Sequence, residues 1–240
     1  QSISGPMVAI NTILADSLDY IATELEALIE GGMEFDAAVQ KVLKDIITEH
    51  GAVVFNGDGY SENWQIEAAE RGLPNLKTTP DALPELIKPE TVALFEKYGV
   101  FNERELHSRY EVRLEQYALT IAVEAKLALE LGTTVILPAA IRYQTELAQN
   151  VATLKVAGVE ADTTLLQAVS APITALTGAL GGLKDALAGH VEGSFEEALY
   201  ARDSLLPAMA AVREAADALE SVVADDLWPL PTYQEMLYIL

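Results

Sequence analysis

Cysteine is absent from the chain, which excludes a disulfide framework, a thiolate nucleophile and a thiolate-ligated metal. Histidine is almost absent too. His50, His107 and His190 lie far apart, and none stands in a zincin-like pattern, so no metal site is expected and solvent-facing positions are. Basic residues are scarce: 15 lysines and arginines face 37 aspartates and glutamates, a formal charge of −22. Such a chain repels nucleic-acid phosphates and anionic lipid surfaces, and neither is expected as a partner. Charges and glycines interrupt the apolar stretches, and no continuous apolar run reaches the roughly 20 residues of a membrane span. No basic segment followed by an apolar one opens the chain. A cytoplasmic setting is expected. What the sequence does have is hydrophobic side chains, half of its 240 residues, enough to bury a substantial core and to exclude disorder.

Those apolar residues recur at helical spacing nearly everywhere, which predicts an all-α fold, an antiparallel bundle of long helices. Gly5-Pro6 opens a helix through Ile10, Leu14, Leu18, Ile21 and Leu25, which Gly31-Gly32 stops. Asp36 is the expected cap of a second helix, paired with the first as a hairpin and ended by a left-handed Gly51. Ala52 to Phe55 is the best strand candidate, so at most one short extended segment is expected, near Val53–Phe55. A turn-rich stretch follows, with short helices expected after Ser61, Thr79-Pro80 and Lys88-Pro89.

From Asn102 the helices lengthen. Pro138 should kink the chain or restart it after Gly132-Thr133. After Asp162, Leu165, Val169, Ile173, Leu176, Leu180, Leu183 and Leu187 form a heptad-like seam. Ser194 with Glu197 reads as a capping box for one last long helix through Leu205, Val212 and Leu219. No segment of fixed length repeats, so a bundle is expected rather than a solenoid. Three regions follow: 1–51, a helical hairpin; 52–101, a turn-rich linker; and 102–240, the C-terminal bundle.

The compact polar, glycine-rich cluster is Asn56-Gly57-Asp58-Gly59-Tyr60-Ser61. It lacks the lysine and glycine spacing of a P-loop. As a calcium loop it would place Asn56, Asp58 and Glu67 at the first, third and twelfth positions, but Tyr60 replaces a ligand and Ser61 the required glycine. A tight turn explains it better, with Gly57 and Gly59 free to take positive φ and offer amides to an anion. The mixed charges from Glu103 to Glu115 read as a solvated helix side. No serine stands in a nucleophile elbow. No catalytic, cofactor-binding or metal-binding residue is assigned from the pattern.

Several segments resemble type III glutamine synthetase. Ser2-Ile3-Ser4-Gly5-Pro6 and Asn11-Thr12-Ile13 are similar to the segment after that family's last catalytic-barrel strand. Phe55 to Ser61 and Arg71-Gly72-Leu73-Pro74-Asn75-Leu76 through Pro84 resemble its most distinctive C-terminal stretch, and Ile136-Leu137-Pro138-Ala139-Ala140 and Leu227-Trp228-Pro229-Leu230-Pro231 are similar as well. The resemblance implies an enzyme that joins ammonia to glutamate using ATP and Mg²⁺ or Mn²⁺, assembled as a ring homo-oligomer. Its partners would be the remainder of the parent chain and sister subunits. In that family the metal ligands and substrate arginines lie upstream of the segment matching Gln1, so the chain reads as a C-terminal part, lacking the β-grasp region and most of the barrel, without cofactors or activity of its own. The loop Asn56, Gly57, Asp58, Gly59, Tyr60 and Ser61 is expected near the active-site side in the whole enzyme. A stand-alone helical oligomerisation protein and a small-molecule-binding regulatory module are the alternatives.

Overall fold

The computed structural model describes residues 3–237. These are largely helical with no strand among them, and they form two compact units, one up to Tyr110 and one from Glu111 on, that divide within one long helix.

In the first unit, α1 (Ser4–Glu30) and α2 (Phe35–His50) pack as a hairpin, followed by α3 (Glu62–Glu70), α4 (Thr79–Ala82) and α5 (Pro89–Lys97). Gly32 turns the chain between α1 and α2 at φ 90°, where a side chain would be strained. The cap of α2 is Glu34, whose carboxylate accepts from the Asp36 amide at 2.9 Å, and not Asp36 itself. The strand candidate is not a strand. The chain leaves α2 through a 3₁₀ turn, Gly51–Val53, with Gly51 at φ −58° rather than left-handed, and Val54 is extended but belongs to no sheet. β-branched Val53-Val54 favours extension only where a neighbouring strand supplies partners, and these residues have none.

A charged cluster ties α1 to α5. Lys97 Nζ lies 2.9 Å from both Asp16 Oδ1 and Asp19 Oδ2, and the Tyr98 hydroxyl donates to the same two oxygens at 2.9 Å. Hydrogen bonds from Lys97, then from Tyr98, hold both carboxyls below the usual carboxylate range, and the same contacts raise the Lys97 ammonium.

The second unit is built on α8 (Thr164–Ala188), packed between α7 (Leu137–Val156) and α10 (Leu206–Glu220). Val169, Ile173, Leu176, Leu180 and Leu183 of the seam are buried and join Ile136, Val212 and Leu219 in one core, with Leu187 packed against it. Leu165, at the start of the seam, is 44% exposed. α8 is also the only described helix long and apolar enough, by length and composition, to cross a membrane. From Val169 to Leu187 its seam residues face this core. Leu227, Trp228 and Leu230 pack on the same core after α10.

The long helix α6 (Glu103–Leu131) opens with a reciprocal cap, Glu105 N to Asn102 Oδ1 at 3.0 Å and Asn102 N to Glu105 Oε2 at 2.9 Å. It runs on into α7 through a wide turn, Gly132–Ile136, in which Leu137 N reaches five residues back to Gly132 O. The expected last long helix is likewise two helices, α9 (Ser194–Tyr200) and α10, joined by a second wide turn, Ala201–Leu205, with Leu206 N donating to Ala201 O. A proline follows each turn, Pro138 and Pro207. A proline ring has no N–H and collides with the carbonyl four residues back; a ladder widened just ahead of it relieves that collision without ending the helix. The capping box at Ser194 is not made: Gly193 is the cap, and the Ser194 hydroxyl donates to the Glu111 carboxylate.

Two outcomes test these assignments. Leu176→Ala removes a fully buried side chain and should cost about 2–5 kcal/mol, whereas Leu165→Ala should cost less than about 1 kcal/mol; equal shifts in a urea titration would refute the seam. Lys97→Met should lower the melting temperature at pH 7 in low salt. Because Asp16 and Asp19 have depressed folded pKa values, their contribution is present above the ordinary value of about 3.9 and disappears as pH falls below it. The difference between wild type and Lys97→Met should therefore vanish in melting curves at about pH 2 and in roughly 1 M salt.

Candidate functional site

The loop singled out in the sequence hangs between the 3₁₀ turn and α3. Val54 leads into Phe55, whose ring stacks on Trp64 of α3 with centroids 4.3 Å apart, and the Arg71 guanidinium lies over the other ring system at 5.5 Å. Arg71 also donates to Ala52 O at 3.0 Å and Val54 O at 2.7 Å and pairs with Glu67. One side chain thus fixes both the backbone before the loop and the helix after it.

Inside the loop, Asp58 Oδ1 accepts from the Tyr60 amide at 3.0 Å, Asp58 O accepts from the Ser61 hydroxyl at 2.7 Å, and Ser61 Oγ caps α3 by accepting from Trp64 N at 3.4 Å. Asp58 therefore serves the local backbone. Neither Gly57 nor Gly59 has positive φ, contrary to expectation. Gly57 is required for space instead: a Cβ there would lie 2.6 Å from the Phe55 ring. Tyr60, at the tip, is 99% exposed.

The three histidines sit on different elements, His50 in the last turn of α2, His107 in α6 and His190 after α8. Among the described residues no three histidines, aspartates or glutamates cluster closely enough to hold a metal. No catalytic step is assigned to these residues. Sequence reading passed over Arg71 as an anchor, although an aromatic pair nine residues apart followed by arginine was visible. It also passed over a cleft in the second unit, bordered by Glu115, Lys126, His190 and Glu197, residues brought together from α6, α9 and the segment after α8.

The stretch holding the Phe55–Trp64–Arg71 stack and the first wide turn coincides with a known domain: the family model described as glutamine synthetase C-terminal domain matches residues 38–155. The chain belongs to the glutamine synthetase family. It is 32% identical over 245 residues to a glutamine synthetase of Bacteroides fragilis, an alignment covering 98% of this chain and 34% of that protein. It is 31% identical over 252 residues to a type-3 glutamine synthetase of Dictyostelium discoideum, covering 100% of this chain and 34% of that one. A glutamine synthetase of Butyrivibrio fibrisolvens is 32% identical over 216 residues, 87% of this chain and 31% of the relative. The chain thus spans about a third of the length of the glutamine synthetases it matches.

Arg71→Ala should cost about 1–2 kcal/mol, since it removes two hydrogen bonds to carbonyls, the pairing with Glu67 and the contact with the Trp64 ring together. Asp58→Ala, which removes one exposed cap, should cost about 1 kcal/mol or less. Urea denaturation of the two variants checks the order, and a larger loss for Asp58→Ala would show that the loop, not the arginine, holds this region together.

Proposed function

We propose that this chain is the C-terminal architectural and assembly region of a glutamine synthetase, a cytoplasmic enzyme that in full length ligates ammonia to glutamate with ATP and Mg²⁺ or Mn²⁺, and that the region alone performs no ligation. The observation that carries the assembly role is the outer face of α1. Ile3, Met7, Ile10, Leu14 and Leu18 recur at steps of four, three, four and four residues, and all are exposed, Ile10 at 58% and Leu14 at 54%. Thr12 is the one buried residue of this 27-residue helix. An unpartnered apolar stripe on a helix of this length favours burial against another surface. The rest of the parent chain, about two-thirds of a relative's length, and sister subunits of a ring are the surfaces it would meet.

That the chain spans about a third of the length of the glutamine synthetases it matches supports the second half of the proposal. The loop Asn56–Ser61 belongs to the same reading. It would lie on the active-site side in the whole enzyme, where exposed Tyr60 could touch a neighbouring element.

Three measurements test this. The 240-residue chain, given ATP, glutamate, ammonia and Mg²⁺ or Mn²⁺, should form no glutamine above background; sustained turnover would overturn the proposal. In the full-length enzyme containing this region, Ile10→Glu with Leu14→Glu should break or weaken the oligomer in sedimentation velocity, and an unchanged oligomer with full activity would refute the role of α1. Asp58→Ala in the same enzyme should reduce turnover at unchanged melting temperature and assembly if the loop borders the site; loss of turnover only in proportion to lost stability would remove the loop from it.

A further inference from the structure

The cleft in the second unit has a volume of about 380 Å³, within the range of small-molecule sites. Its depth comes from small side chains. Ala118 of α6 and Ala201 of the second wide turn are buried at the bottom beside Leu205, and Ala122 and Ala186 are half-buried on the walls. The wall next to α8 is held open by a latch: the Tyr200 hydroxyl donates to Ala186 O at 2.7 Å, across a position where Gly189 leaves room for it. A Cβ on Gly189 would lie 2.0 Å from that hydroxyl oxygen. The pocket is therefore formed before any ligand arrives.

The polar groups around this apolar floor converge from three elements. Glu115 and Lys126 stand one on each side along α6, Glu197 comes from α9 and His190 from the segment after α8. All four are exposed and none makes a side-chain hydrogen bond or ion pair among the described residues. The carboxylates outnumber the ammonium two to one. The C-terminal end of α8 adds the negative pole of a 25-residue helix on the same side.

We propose that this cleft is a binding site for a small organic ammonium ion, its hydrocarbon body on the alanine and leucine floor and its charged head between Glu115 and Glu197. Glu197, next to the Tyr200 latch, supplies the principal counter-charge, and Lys126 opposes the ligand. This goes beyond the assembly role and does not depend on it, because every residue invoked belongs to the second unit and α1 belongs to the first.

The test uses the whole 240-residue chain, ¹⁵N-labelled, titrated with n-pentylammonium chloride, with 1-pentanol and sodium pentanoate as neutral and anionic counterparts of the same size. Pentylammonium should shift the amides of Ala118, Gly189 and Ala201 saturably, and the other two compounds should not. Glu115→Gln with Glu197→Gln should weaken binding about tenfold or more, whereas Lys126→Gln should strengthen it. Equal shifts from pentanol or pentanoate, no saturable shift at these amides, or indifference to both sets of substitutions would each overturn the assignment. Lys126→Gln keeps the question open to refutation even if the double carboxylate variant folds poorly, since it changes one exposed side chain.

Discussion

Burial of one face of α8 is the interaction on which the rest of the second unit depends. Leu176, Leu183 and Val169 are completely buried, and with Ile173 and Leu180 they meet side chains from α7, α10 and the segment after α10. Each such leucine withdrawn from water contributes about 2–3 kcal/mol, against a net stability of only about 5–15 kcal/mol for a domain. Gly178 and Gly182, on the exposed side of α8, bring no backbone close, since a Cβ on either would meet no atom within 4 Å; the tight packing is along the seam itself. Gly132 shows how tight this becomes: a Cβ there would stand 2.5 Å from Leu180 Cδ2.

The same packing explains the paired wide turns. Each is flanked by a small residue at its start and by Leu-Pro-Ala at its end, Gly132 before Leu137-Pro138-Ala139 and Ala201 before Leu206-Pro207-Ala208. Both turns touch α8. A regular helix could accept the proline only by kinking away from its neighbour, which would strip contacts from the core. Widening the ladder by one residue keeps the axis nearly continuous and leaves Ile136 and Leu205, the last residue of each turn, buried. A wide turn also enlarges the helix locally, and the second one forms part of the cleft wall.

How much of this was legible follows from the range of each force. Periodicity of apolar residues located α1, α2, α6 and the α8 seam from Val169 to Leu187, because apolar side chains repeat there every three to four residues; in α8 that face is buried, whereas in α1 it is exposed. Gly32, at positive φ, ended α1 where expected, and Gly72, Gly99 and Gly158 follow α3, α5 and α7 in the same left-handed conformation. Choices between near-equivalent partners were not legible. Glu34 displaced Asp36 as a cap, and Ser194 turned to the carboxylate of Glu111, 83 residues away, instead of closing a box with Glu197. Local sequence scores these alternatives within about 1 kcal/mol of one another, so tertiary contacts decide. The second wide turn was missed because Pro207 lies in an otherwise helical pattern, and only comparison with Pro138 reveals the shared motif.

Candidate functional residues divided the same way. Asn56–Ser61 was conspicuous because glycine and asparagine are rare together in a helical chain, yet its groups mostly serve the turn itself. The cleft was inconspicuous because its parts, Glu115, Lys126, His190 and Glu197, look in sequence like ordinary helix-surface residues. What distinguishes them is the geometry beneath: alanines at 118, 122, 186 and 201 leave a hollow, and Gly189 lets Tyr200 hold it open. An alanine in a helix is read as a propensity choice, but four of them facing one volume amount to an excavation. In an acidic protein an exposed carboxylate needs no explanation, whereas two carboxylates and a helix C-terminus set around a preformed apolar hollow create a site where a cation gains both charge neutralisation and burial of its hydrocarbon part.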